Sequence, residues 1–450
     1  MKVLAKDGPS LVLELLGYAA GRQPWDLIRA IRDPEGKNAE DRQFLHTIGA
    51  GLTPLMYHAM RSCPERVPPA WRDPLLGADL TAQVRFWNLC EAAVEVVDTC
   101  QGVGVRPTLL KGISISHQHY PIPHLRPMGD LDILVPESEL ELVESSLLGT
   151  GLVRMPDQVR HAGSHHGIPL RHLQRRVWVE VHSALFPKSS ELSSGALFSP
   201  AQIAAHSIAS TFWGRPVFRL SDELQLAYIA SSWIRDLSRN QIHASLVLPL
   251  LDAIYLLKAS GKSLDWDRLL AGLDNNELAA ASLYIMLAYL SRRGLAACAS
   301  PVLSRIASGQ RIIGAWERKI IEFLLDTYLI GGRPFTRFFN NWTALIVLNT
   351  LLARGSHLRK LFALPWNIVF PPSLPNRYSV RFHAERIARI LRGNGRGQHW
   401  QGYRRQSMSV GIGNESNFVG PPALAFRRSQ IQPSAVILAR RSFSSTGFTT

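Results

Sequence analysis

The chain has 450 residues, 46% of them hydrophobic and 19% charged, with a net charge of +15. That is enough apolar material for a sizeable core and two or three domains, and no stretch reaches the roughly 20 uncharged apolar residues a bilayer span needs. Eleven arginines against Glu385 and Glu415 place +9 of the +15 in residues 381–450; the remaining +6 does not point to an enzyme built around nucleic acid.

The N-terminus lacks an extended apolar run of the secretory kind. Cys63, Cys90, Cys100 and Cys298 show no C-x-x-C spacing and read as reduced thiols, which favours a cytoplasmic protein. Residues 1–90 read as a helical region, with helical spacing in Leu11–Leu16, Trp25–Ile31 and Gln43–Arg61. An amphipathic helix over 85–100 meets stop signals at Gly102 and Gly104, and a short strand is predicted over 103–110. Lys111-Gly112 then opens a segment running to Tyr120. Such a strand–glycine–helix junction offers backbone N–H groups to a phosphate, and Lys111 adds a mobile charge; the plainer reading is a tight turn with a solvated lysine.

The most informative residues follow. In Arg126-Pro-Met-Gly-Asp-Leu-Asp-Ile-Leu-Val135 the apolar run reads as a buried strand between Gly129 and Pro136. Alternation puts Asp130 and Asp132 on one face and Leu131, Ile133 and Val135 on the other. Two ionised carboxylates roughly 7 Å apart repel unless a cation sits between them, and Mg²⁺ takes oxygen ligands of this kind. An isolated Asp-x-Asp is more often a solvated turn; the apolar flanks favour a metal site here. Arg126 has two readings, pairing with phosphate or capping a loop through a local carboxylate.

A second strand over 176–185 alternates Trp178, Glu180 and His182 against Val177, Val179 and Val181. Beside the first strand it would bring three carboxylates into one cleft. Alone, Glu180 equally fits an exposed strand position, and His182 fits a packed strand histidine as well as a base or second ligand shell. The run His161-Ala-Gly-Ser-His-His-Gly167 reads as a solvated loop ahead of a zinc site. Residues 91–200 thus hold the predicted α/β core. Residues 201–375 are mostly helical, with a capping signal at Ser221-Asp-Glu, a buried helix over 246–257 and another over 276–293, ending in the Pro-rich segment 365–375. Residues 376–450 read as a basic tail, disordered from 393, after a short helix over 381–391. Its arginine pairs can bind RNA, DNA or acidic lipid, or be an unselected extension.

Leu109-Leu-Lys-Gly112, then Tyr120-Pro-x-Pro-x-Leu-Arg-Pro-Met-Gly-Asp-Leu-Asp-Ile-Leu-Val135, then Val179-Glu-Val-His182 resemble the bacterial uncharacterised nucleotidyltransferases, a branch of the polymerase-β-like superfamily. The resemblance is specific over about 103–185 and looser to about 378. It implies an α+β fold, a mixed-sheet core with helical N- and C-terminal regions. It makes Asp130 and Asp132 ligands to Mg²⁺ (or Mn²⁺), sets Glu180 at the third carboxylate position, and puts Lys111 and Gly112 in the nucleotide-phosphate loop. The superfamily's Gly-Ser is Gly112-Ile113 here, with Ser114 one place late and Asp130 eighteen residues after Gly112.

The implied reaction moves a nucleotidyl group from an NTP to a hydroxyl of unidentified nature, on a small molecule, peptide or protein. Nucleic acid is not required, and the oligomeric state is open. A sugar-nucleotide glycosyltransferase using Asp-x-Asp is the alternative enzyme, although it would need a longer nucleotide-binding region before that motif. A non-catalytic, antitoxin-like relic of the fold is the third reading, and it leaves the acidic trio without a physical reason.

Overall fold

Short β-branched runs alternate with helices through the first half of the chain, and helices take over after residue 222. In this computed structural model the residues described are 11–24, 49–62, 64–155, 164–239, 244–296, 300–330 and 341–370. All belong to one compact unit, Met1–Arg396. The helix expected over 25–31, the basic helix over 381–391 and the tail fall outside the described residues.

Helices α1 (Leu11–Ala20), α2 (Gly49–Met60) and α3 (Pro69–Gly102) come first. At 34 residues α3 is about 51 Å long at the α-helical rise, more than twice the predicted helix, and it ends at the expected stop signal. Its N-terminal half gives Trp71 and Leu75 to one apolar core. Its C-terminal half gives Leu89, Ala93, Val96, Val97 and Cys100 to another. The Cys90 and Cys100 thiols are buried, and desolvation pushes each up to about 12, so both are inert at neutral pH.

The sheet contains β1 (Thr108–Leu109), β2 (Asp130–Leu134), β3 (Leu152–Arg154), β4 (Leu170–His172), β5 (Val177–His182), β6 (Ser207–Phe212) and β7 (Arg215–Leu220). Helices α4 (Lys111–His119), α5 (Leu140–Leu148) and α6 (Pro200–Ala205) lie between them in sequence. Strand order is β3-β4-β5-β2-β1-β7-β6. The β2–β5 and β1–β7 pairs are parallel and the others antiparallel, which makes the sheet mixed, as expected. The strand expected over 103–110 is two residues long because the turn that closes α3 occupies its start.

Alternation along β2 and β5 sorts the side chains as predicted. Leu131, Ile133, Val177, Val179 and Val181 join α3 and α5 in one core. Leu134, on the opposite face, belongs to the larger core of the helical layer. That layer holds α7 (Asp222–Arg239), α8 (Leu248–Ser260), α9 (Trp266–Leu273), α10 (Glu277–Arg292), α11 (Ser300–Gly309), α12 (Ala315–Leu324), α13 (Asn341–Leu352) and α14 (His357–Val369). Ser221 starts α7 with its hydroxyl accepting from Leu224 N–H at 3.4 Å, in line with the capping signal. Because Leu134 shares a core with α1, α2 and the helices after 222, the polar face of β2 and β5 is turned toward the helical layer. No helix among the described residues is long and apolar enough to cross a membrane.

Candidate metal and nucleotide site

The register of β2 on β5 builds the site. Asp130 pairs with Trp178, Asp132 with Glu180 and Leu134 with His182. In parallel pairing, partners share a face, so Asp132 and Glu180 stand side by side. Asp132, Glu180 and His182 offer ligand atoms that all lie within 4.8 Å of one another, the group of this kind found among the described residues. Asp130 opens β2 one alternate position earlier, on the same face but outside that group, with its side chain reaching solvent.

Lys111 is aimed at the same centre. The Leu110 N–H bonds the Asp132 carbonyl at 3.0 Å, which ties the start of α4 to β2. Lys111 then takes a left-handed backbone, φ 44°, a costly conformation for a residue with a side chain and one that clusters at functional sites. Its Nζ reaches Asp132 Oδ1 at 2.8 Å. Gly112 follows because nothing larger fits: a Cβ there would stand 2.3 Å from Arg126 Nη1 and 2.8 Å from Met128 Sδ.

His182 Nε2 lies 2.7 Å from Asp132 Oδ1 and 3.5 Å from Glu180 Oε2. Burial disfavours the imidazolium, yet the bonds to Asp132 and Glu180 prevail, and the His182 pKa is raised. Burial likewise penalises the Asp132 carboxylate, but Lys111 and His182 hold its pKa well below the usual range. The bond from His182 lowers Glu180 against burial and the Asp132 charge. Asp130 goes the other way, raised first by desolvation among crowding protein atoms and then by Asp132. Lys111 stays charged: burial works against its ammonium, and Tyr228 and Asp132 raise its pKa nonetheless. Two neighbouring carboxylates with pKa values pushed apart are a functional-site signature.

Residues 164–169, which lead into β4, close one side. Ile168 N–H donates to Glu144 Oε1 at 3.0 Å, and a Cβ on Gly167 would fall 1.3 Å from that oxygen. Gly167 N–H bonds Val181 O, and Ser183 N–H bonds His165 O, both at 2.8 Å. The rings of His165 and His166 thereby sit 5.3 and 5.6 Å from the His182 ring. The stretch expected to be a solvated loop is therefore half-buried at the site through these two residues, because backbone pairing with β5 draws it inward; His161 lies outside the described residues. Desolvation, then His182 and His166, pushes His165 down to about 2, so it is neutral.

The remaining candidates separate. Ser114 is buried in α4, where its hydroxyl accepts from Gln118 Nε2 at 3.0 Å. Arg126 is bound bidentately to Asp252 of α8, Nε to Oδ1 and Nη2 to Oδ2, both at 2.8 Å. The Tyr120 hydroxyl donates to the same Asp252 Oδ1 at 2.7 Å. The carboxylate that Arg126 finds is thus 126 residues away in sequence, not local. Sequence reasoning passed over Glu144 and Tyr228, which no motif marks, and it noticed His165 and His166 without placing them.

Three carboxylates, one imidazole and one ammonium leave acid in excess. His182 Nδ1 is buried with no hydrogen-bond partner in the described structure. A divalent cation relieves such a carboxylate excess, and the oxygen-rich donor set with one imidazole fits Mg²⁺ or Mn²⁺. A search of the curated proteins finds no match. The family model of the uncharacterised nucleotidyltransferases matches residues 40–292, more than half of the chain and all of the site just described, and the chain belongs to that family.

Proposed function

We propose that the protein is a Mg²⁺- or Mn²⁺-dependent nucleotidyltransferase that moves a nucleotidyl group from an NTP to a hydroxyl acceptor and releases pyrophosphate. The observation that carries this reading is the register that sets Asp132 beside Glu180 on neighbouring parallel strands, with Asp130 on the same face and Lys111 at 2.8 Å. Asp130, Asp132 and Glu180 would hold the metal. Bound there, divalent cations supply charge to the attacking and leaving oxygens of an in-line displacement.

The chain's own residues do the rest. Lys111 keeps a fixed positive charge as the first residue of α4, at a helix N-terminus where phosphate oxygens are favoured. Its left-handed backbone and its bond to Asp132 hold that charge in place before substrate arrives, and such preorganisation is where much of the rate comes from. His182 fixes the Asp132 carboxylate through Nε2. His165, neutral at physiological pH, lines the site without adding charge and is too weak a base for proton removal; Asp130, whose pKa is raised, is the candidate to accept the acceptor's proton. Arg126 orders the loop ahead of β2 through Asp252. A cytoplasmic location, where NTPs and Mg²⁺ coexist, goes with the same reading.

The test is transfer of label from each α-³²P NTP to material in a cell extract, with Mg²⁺ and then with chelator. We expect one NTP to label a defined product, with labelling lost in Asp132→Ala and Glu180→Ala proteins that still fold. Undiminished labelling by both variants would remove the mechanism.

A further inference from the structure

Helix α14 carries the most exposed apolar stripe among the described residues. Leu358, Leu361, Phe362 and Trp366 are 68, 49, 74 and 53% exposed. They recur at i, i+3, i+4 and i+8, which places them on one face of the helix. An apolar face this long is costly in water and marks an interaction surface.

The opposite face is fastened down. Lys360 is buried and donates Nζ to the carbonyls of Ile312 and Leu351. His357 pairs with the buried Glu317 of α12. Asn367 donates to Thr350 Oγ1 at 3.1 Å, and Leu364 and Ile368 pack against the main core. Ser356 caps the first turn by accepting from Arg359 N–H at 3.3 Å. The stripe is therefore presented on a helix already folded and anchored, and its exposure does not come from a loose end.

Charge identifies the occupant. From Arg354 to Arg396 the sequence has eight arginines, Lys360 and a single acid, Glu385. Arg359 is exposed beside the stripe; Arg354 is exposed too and pairs with Glu191 at 3.3 Å. An apolar face with aromatic residues, flanked by cations and almost without acids, matches the boundary of an anionic bilayer. The other exposed stripe, Leu76, Leu80, Val84 and Trp87 on α3, has exposed Arg72 and Arg85 balanced by exposed Asp73 and Glu91, and so carries no net sign. A second copy on α14 would bring like charges together, which disfavours it.

We propose that α14 is an interfacial helix that docks the protein on an anionic lipid surface. Leu358, Leu361, Phe362 and Trp366 enter the headgroup–acyl boundary, and exposed Arg359 on the same helix supplies counter-charge to lipid phosphates. At 13 residues, α14 lies along the surface and does not span it. The inference is independent of the nucleotidyl-transfer reading.

The test is co-sedimentation of the full chain with phosphatidylcholine vesicles, with and without phosphatidylglycerol. We expect binding only with the anionic lipid, weakened by added salt. Phe362→Glu with Trp366→Glu should cut partitioning at least about tenfold while the circular dichroism and thermal melt stay unchanged. Leu358→Ser with Phe362→Ser provides a milder pair and should lower partitioning in the same direction. Failure of the natural chain to bind phosphatidylglycerol vesicles overturns the proposal. So does equal binding by the variants, since the basic tail would then act alone. A concentration-dependent dimer that the Glu variants abolish, without any vesicle binding, would assign the stripe to a second copy instead.

Discussion

Two buried carboxylates, Asp132 on β2 and Asp252 on α8, differ in one respect in their surroundings. Asp252 is complete: Arg126 fills both oxygens and Tyr120 adds a third bond. Asp132 has Lys111 and His182 on Oδ1, but Asp130 and Glu180 crowd the same cleft and His182 Nδ1 goes unmatched. A closed network of this sort holds elements together. An acid-rich one with spare ligand atoms has what it takes to hold a cation. The balance of partners, more than burial, separates architecture from chemistry here.

The contrast can be broken by experiment, most sharply through activity. Asp132→Ala should lower metal-dependent pyrophosphate release by on the order of 10³-fold or more, with Asp130→Ala close behind, and the loss should remain when turnover is normalised to the folded fraction. Asp252→Ala should do the reverse. It leaves the Arg126 guanidinium buried without its counter-charge, a loss of about 3–5 kcal/mol readable in urea titrations, and turnover of the folded fraction should survive. Were Asp252→Ala to melt like the natural chain, that network would not be the fastening described.

Gly112→Ala ranks next in stability. The new Cβ must displace Arg126 or Met128, an overpacking cost of about 1–3 kcal/mol visible as a lower melting temperature. Lys111→Gly sharpens the comparison from inside the site. It relieves a left-handed backbone worth about 1 kcal/mol and removes the ion pair to Asp132, so stability should hardly move. Activity should nevertheless fall by on the order of 10²-fold. Parallel losses of both would mean that Lys111 is only structural.

The smallest effect is in pH. The His182 pKa is raised from its ordinary 6.5, so its stabilisation is complete below that value and fades as pH climbs through the folded-state pKa. The Asp132 pKa is lowered from 3.8, so its stabilisation holds above that value and fades as pH falls through the folded-state pKa. The metal-free protein should accordingly be most stable between roughly 3.8 and 6.5 as far as this pair decides it. In melts with chelator, Asp132→Asn should flatten both limbs. An unchanged alkaline limb would detach His182 from Asp132.

Sequence alone made the two strands legible, because period-two alternation sorts Leu131, Ile133 and the three valines from Asp130, Asp132 and Glu180 whatever the tertiary context. It also exposed the Lys111-Gly112 junction and the start of α7. What lay beyond it were partners chosen by three-dimensional proximity. Arg126 meets a carboxylate 126 positions on, Glu144 receives the histidine loop from 24 positions away, and Tyr228 reaches Lys111 from a mid-helix position that no motif marks. The length of α3 was missed because its N-terminal half carries Pro74 and an exposed apolar stripe, which blurs the amphipathic period.

That helix has a consequence for how the protein comes apart. One rod contributes side chains to both apolar clusters, so neither can melt while the other keeps α3 intact. Sheet and helical layers should thus disassemble in a single calorimetric transition, and the slowest-exchanging amides should form one population along α3.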